Sequence, residues 1–237
     1  MIKLAITGCQ GRMGQRITEL ASQDKEFKIV ALIESPDRPD VPEMSRGIRV
    51  SRDINAVKGA DVLIDFTLPE PTMHNVKACI EHRVRMVIGT TGLSDAQRAE
   101  IRKASATIAV VQSTNMSVGV NLVFGLLKQM AGRLKGYGVA ISETHHVHKK
   151  DAPSGTAKTM AEVIEGVTGR KVTDIASVRE GEVIGYHEVT FDSGVDTIRI
   201  SHNAKTRDMF AEGALVAAKF LAKKDKGVFN MQEVLGS

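Results

Sequence analysis

The chain has no tryptophan, two tyrosines and seven phenylalanines among 237 residues. Binders of single-stranded nucleic acid stack bases on aromatic side chains, and that supply is missing here. Its two cysteines, Cys9 and Cys79, stand far apart in the sequence. They offer neither metal-ligand spacing nor a disulfide framework, so both are expected to be reduced and partly buried, as in cytoplasm. No apolar run approaches the ~20 residues that a bilayer-spanning helix needs. Met1-Ile2-Lys3-Leu4 leads straight into a strand pattern, so no signal peptide is expected ahead of the fold. The expected setting is cytoplasmic, with no nucleic acid and no membrane as partner. A net charge of +4 is mild and suits an anionic small molecule better than a polyanion.

What the chain does hold is a block of chemistry from Glu143 to Ala157, reading Glu-Thr-His-His-Val-His-Lys-Lys-Asp-Ala-Pro-Ser-Gly-Thr-Ala. Val139 and Ile141 alternate with Ala140 and Ser142, so a strand leads into it. The segment 151–155 is turn chemistry, and Ser154 suits the N-cap of a helix carrying Ala157, Met160, Ala161 and Ile164. Acid–base side chains therefore stand beside helix-start amides, an arrangement suited to a carboxylate substrate that must also receive a proton. A solvated basic loop is the plain alternative. Zinc is another, because His146 and His148 point the same way from an extended chain. Only Glu143 and Asp151 stand near enough to complete a ligand set, and no metal is expected.

The first half alternates strand and helix: strands over 2–7, 27–33, 48–50, 61–67, 84–90 and 107–112, helices over 12–21, 71–83 and 94–106. That order predicts a parallel sheet with helices on both faces. Past Asn115 the pattern changes. A long apolar helix over 118–134 leads to the histidine-rich strand and its helix. Strands over 182–184, 187–191 and 197–202 then predict an open, mostly antiparallel or mixed sheet. A final helix over 207–223 carries Phe210, Ala214, Ala217 and Leu221 on one stripe.

Gly8-Cys9-Gln10-Gly11-Arg12-Met13-Gly14 follows the first strand and opens the first helix. The spacing G-x-x-G-x-x-G differs from the common dinucleotide fingerprint, but its physical purpose is the same. The chain turns tightly, the backbone can approach a pyrophosphate, and Gly14 lets helix pack on strand. Glu34 closes the second strand, where an acid binds the adenosine ribose diol. Two more loops at strand ends, Phe66-Thr67 and Gly89-Thr90-Thr91-Gly92, fit a nicotinamide-ribose path. The segment Ser113-Thr114-Asn115-Met116 closes the first domain at the same edge. The α/β fold class expected is a Rossmann-like parallel-sheet nucleotide domain plus an α+β domain with an open mixed sheet.

These elements, with Asp65-Phe66-Thr67, Asn115 through Asn121, His145 through Thr156, Arg179-Glu180-Gly181 and Gly185-Tyr186-His187, resemble the 4-hydroxy-tetrahydrodipicolinate (dihydrodipicolinate) reductase family of lysine biosynthesis. The resemblance spans essentially the whole chain. It implies a dinucleotide domain over 1–116 and 207–237, a substrate and oligomerisation domain over 117–206, and a homotetramer. It also implies a reduced nicotinamide cofactor and a cyclic dicarboxylate substrate. By motif position, His145 resembles the acid–base histidine and Lys149 the proton donor. His146, Lys149, Gly155 and Thr156 resemble the substrate-carboxylate contacts. Three positions depart from the family pattern: Gln10 replaces a frequent glycine, Met116 a frequent aromatic, and Ser35 an arginine found in some relatives. Glu34, with no cation at position 35, predicts NADH as the preferred cofactor, with NADPH also usable. The alternative from a different class is a nicotinamide-sensing binding protein without catalysis.

Overall fold

The computed structural model of the chain describes residues 1–236, so Ser237 of the expected nucleotide domain lies outside the described residues. In chain order its elements begin with β1 (Ile2–Thr7), α1 (Arg12–Gln23), β2 (Phe27–Ile33), β3 (Met44–Ser45) and β4 (Ile48–Ser51). After a short 3-10 turn come β5 (Val62–Asp65), α2 (Pro69–His82), β6 (Arg85–Ile88), α3 (Asp95–Ala104) and β7 (Ala109–Gln112). Then follow α4 (Val118–Arg133), β8 (Gly138–His145), α5 (Gly155–Thr168), β9 (Asp174–Arg179), β10 (Gly185–Asp192) and β11 (Thr197–Ala204). The chain ends with α6 (Asp208–Leu221), β12 (Gly227–Phe229) and α7 (Met231–Leu235).

Two compact units result, one from Met1–Ser117 with Phe210–Gly236 and one from Val118–Met209. The first is built on a sheet ordered β12-β7-β6-β5-β1-β2-β4-β3, parallel except where β3 meets β4. Its inner strands read as continuous apolar runs because helices cover both faces: Val62, Leu63 and Ile64 are all fully buried. One face packs Ile17 and Ala21 of α1 with Ala211, Ala214, Ala217, Ala218 and Leu221 of α6. The other packs Val76 and Cys79 of α2 with Ile101 and Ala104 of α3. In α6, Gly213 lies against the Met116 carbonyl, where a Cβ would collide with the backbone. Helix α3 begins with a capping box formed by Ser94 and Gln97.

The second unit has a mixed sheet ordered β11-β10-β8-β9, with β8 and β9 parallel and the other pairs antiparallel. Helices α4 and α5 supply Leu127, Met160 and Ile164 to a core shared with Ile141, Val189 and Phe191. The strand expected over 182–184 is instead a turn, bent at Gly181 with φ +46°. A strand that the apolar pattern does not announce, β9, occupies the sheet edge. Its inward positions beyond Ile175 are Ser177 and Arg179, so it lacks the alternation that marks a strand. β12 and α7 are likewise additions, too short to display a period.

Candidate active site

In the first unit, the loop after β1 turns at Gly8, whose φ of +60° is left-handed backbone that suits glycine. Gly11 caps α1 without a side-chain partner, leaving a helix start open to an anion. A Cβ at Gly14 would fall on the Gly8 carbonyl oxygen and 2.7 Å from Cys9 Cα, so only glycine lets α1 pack here. Cys9 itself is buried, and burial with the nearby Glu34 charge pushes its thiol up to about 11. It is no nucleophile at neutral pH. Arg12 is exposed, and Met13 packs against the core.

Glu34 is buried, and its carboxylate accepts hydrogen bonds from Gln10 N at 2.8 Å and Ser35 N at 3.0 Å. Arg38 lies 3.6 Å from the same carboxylate and donates to the Gln10 carbonyl. Arg52 donates to the Pro36 and Arg38 carbonyls and so braces that loop. At the neighbouring strand ends, Asp65 is fully buried and accepts from Thr67 N, Thr67 Oγ1 and Asn75 Nδ2. Thr72 donates on to Thr90 at 2.8 Å. Asp65 thus anchors the hydroxyls at two strand ends, a role the sequence pattern does not announce. Gly89 faces the Phe66 ring too closely for any Cβ. Thr91 and Thr114 are exposed, and Ser113 Oγ ties back to the Asn115 carbonyl. Asn115 is buried, as is Met116, whose side chain joins the hydrophobic core of this unit. The glycine cradle, open helix start and buried acid fit a dinucleotide.

In the second unit, the inward face of the sheet changes character at one end. Ile141 is followed two residues on by Glu143 and then His145, while Val189 on β10 gives way to His187. Glu143 is fully buried and fully partnered. Oε2 accepts from His145 Nδ1; Oε1 accepts from Arg179 Nη2 at 3.0 Å and Ser154 N at 3.3 Å. Burial alone would raise its pKa, but Arg179, Ser177 and His145 together hold it below the usual carboxylate value. Burial lowers His145 despite the opposing pull of Glu143. His187, 5.0 Å from His145 ring to ring, is pushed down by burial to about 4. His187 Nε2 lies 2.9 Å from Ser154 Oγ, which also caps α5 by accepting from Ala157 N.

Lys149 pairs with Asp151 at 2.7 and 2.9 Å and is largely shielded. Its loop is tied down by Val147 N to the Gly181 carbonyl and Lys149 N to the His146 carbonyl. His146 is half-buried, with a buried Nδ1 that meets no protein partner. A Cβ at Gly155 would meet nothing within 4 Å, so space is open at the helix start beside Thr156. His148 is exposed beside Glu182 and is not drawn to His146 as a ligand pair would be. Among the described residues, the three donors that do converge are Glu143, His145 and His187, within 4.8 Å of one another. A cation there would face the Arg179 guanidinium across a carboxylate whose lone pairs are already engaged. The cluster can serve as a hydrogen-bonded acid–base set. His187 and Arg179 are the members that motif reading leaves without a role; the strand pairing places His187 opposite Glu143 and Arg179 opposite His145.

No helix among the described residues is long and apolar enough to cross a membrane. The family model for the N-terminus of dihydrodipicolinate reductase matches residues 2–116, and that for its C-terminus matches residues 119–235. The 4-hydroxy-tetrahydrodipicolinate reductase of Burkholderia ambifaria is 38% identical over 263 aligned positions, covering 99% of both chains. That of Laribacter hongkongensis is 41% identical and covers 99% of this chain and 98% of its own. In fold, the chain is similar to the dipicolinate-bound dihydrodipicolinate reductase from Paenisporosarcina sp. TG-14, with a TM-score of 0.85 at 24% identity and 98% coverage of each. With matched halves that together span the chain, and relatives this similar from end to end, the protein belongs to the dihydrodipicolinate reductase family.

Proposed function

We propose that the protein reduces 4-hydroxy-tetrahydrodipicolinate (dihydrodipicolinate) to tetrahydrodipicolinate in lysine and diaminopimelate biosynthesis. The observation that carries this reading is the grouping of buried His145, cationic Lys149 and the open start of α5 within one unit. When bound, a reduced nicotinamide supplies the hydride. The chain's own residues do the rest. The helix start at Gly155 and Thr156, with His146 and Lys149, holds a substrate carboxylate. The 4-hydroxyl leaves as water; Lys149 gives a proton to the ring nitrogen of the resulting conjugated imine as negative charge develops there, and His145 supports that transfer. Asp151 holds the Lys149 side chain in place before the substrate takes its position. Gly8 to Met13, Glu34, Gly89 to Thr91 and Ser113 to Asn115 line the dinucleotide, with Met116 contributing through its backbone.

NADH is the preferred cofactor, modestly so. Buried Glu34 disfavours a 2′-phosphate, while Arg38 beside it allows NADPH to be used. The enzyme is cytoplasmic, in keeping with two buried free cysteines. It assembles as a homotetramer through its four-stranded sheets, whose outer positions Ala140, Ser142, Thr144 and Thr190 are small and half-buried. Sedimentation at equilibrium tests the assembly. The function is tested by following NADH absorbance with freshly generated substrate. Stoichiometric oxidation is expected. Tight NADH binding without turnover would leave only a nucleotide-binding role.

A further inference from the structure

We propose that Glu143 and Arg179 act as one positioning pair that aligns His145 and Lys149 together. This deepens the reductase reading and rests on it for its kinetic arm. Glu143 touches His145 through one carboxylate oxygen and Arg179 through the other. The same guanidinium donates through Nε to the Lys149 carbonyl at 3.3 Å and through Nη2 to the Asp151 carbonyl at 2.6 Å. One side chain therefore grips both the carboxylate behind the imidazole and the backbone on either side of Lys150. The remaining Nη1 is spent on its neighbour, the Val178 carbonyl.

The pair also sets which nitrogen of His145 carries its proton. An ionised Glu143 can only accept, so the neutral ring places its hydrogen on Nδ1. Nε2 is left with a lone pair. It faces Gly185, where a Cβ would come within 3.1 Å, so the glycine keeps that atom uncovered. His145 is then an acceptor until it gains a proton, which leaves Lys149 as the direct donor. The other groups facing the ring fit this assignment. His187 on β10 is neutral, and its Nε2 is satisfied by Ser154, while Lys149 and Arg179 add positive charge that discourages protonation of His145.

A simple core role explains the pair less well. The next inward position on β8 is Ile141, paired with Val189 on β10, and an apolar pair in place of the ions would stabilise the unit at least as well. What apolar side chains cannot supply is a fixed tautomer and a fixed lysine loop.

The test is imidazole nitrogen NMR on ¹⁵N-histidine-labelled protein near neutral pH, paired with steady-state kinetics. Wild-type His145 is expected to carry its proton on Nδ1. In Glu143→Gln, Arg179 and Ser154 N both claim the amide oxygen, so the amide NH₂ turns to His145 and drives its proton to Nε2. Turnover should then fall by about 10²–10⁴, the scale seen when a carboxylate that orients a histidine becomes an amide. KM for the dicarboxylate should stay within about threefold, since an orienting group acts mainly on the transition state. Arg179→Lys keeps the charge but loses the fork, so it should preserve the Nδ1 tautomer yet lower turnover. A wild-type proton on Nε2, or unchanged tautomer and rate in Glu143→Gln, would overturn the proposal. If Glu143→Gln does not fold, the wild-type tautomer still decides. A wild type without turnover would instead defeat the reductase reading, which the substrate-free NMR arm does not require.

Discussion

Acidification should unfold the second unit through His187 before any carboxylate is involved. The side chain is 5% exposed, Nδ1 is buried without a partner, and burial takes its pKa from 6.5 to about 4. Above pH 6.5 the ring is neutral in both folded and unfolded chains and favours neither. As pH falls below 6.5 the unfolded chain takes up a proton that the folded chain refuses, so stability declines down to about pH 4 and then levels off. At ~1.4 kcal/mol per pH unit, the full window costs about 3 kcal/mol. His145 and His202, also lowered by burial, add to the decline in the same direction. Glu143 and Asp151, held below the usual carboxylate value, contribute their losses only at lower pH. Both tyrosines, Tyr137 and Tyr186, belong to the second unit and there is no tryptophan. Tyrosine emission during urea unfolding therefore reports on this unit alone. His187→Gln, which keeps a polar partner for Ser154 but cannot titrate, should shrink the decline between neutrality and pH 4 by about 3 kcal/mol. An equal decline in wild type and variant would refute the assignment of the acid sensitivity to this histidine.

Lys149→Ala should lower turnover by about 10²–10⁴, the usual scale for a lost proton donor, while NADH titration by fluorescence stays near normal. Near-wild-type turnover would remove Lys149 from the chemistry. Gly14→Ala places a methyl on the backbone of Gly8 and Cys9. It should weaken NADH binding at least about tenfold and destabilise the first unit by about 1–3 kcal/mol, as overpacking does. Unaltered NADH affinity would show that α1 can shift without disturbing the loop. The ratio of kcat/KM values should favour NADH over NADPH, and Arg38→Ala should lower efficiency with NADPH more than with NADH. A clear wild-type preference for NADPH would contradict the role given to Glu34. Prolonged chelation should leave activity unchanged; loss restored by zinc would mean that Glu143, His145 and His187 hold a metal after all.

Wherever function rests on local backbone chemistry, the residues announce it in order. The glycine turn ahead of α1, the Ser94 capping box and the Ser154 cap each depend on neighbours within a few positions, and each is present in the structure. The parallel sheet is legible for a related reason: helices on both faces make its strands continuously apolar, a signal that survives ignorance of the pairing. The candidate acid–base set is different. Glu143 and His145 share a strand face by simple alternation, so their contact follows from the residue spacing. Arg179 and His187 reach them only through strand pairing, 34 and 44 residues beyond the residues they stand opposite by register with β9 and β10. β9 hides especially well, because its inward positions are spent on Ser177 and Arg179, polar side chains whose placement makes sense only once Glu143 is there to receive them. A strand whose inward face serves a buried carboxylate cannot display an apolar period. The feature that conceals it in the sequence is therefore the one that ties it to the site.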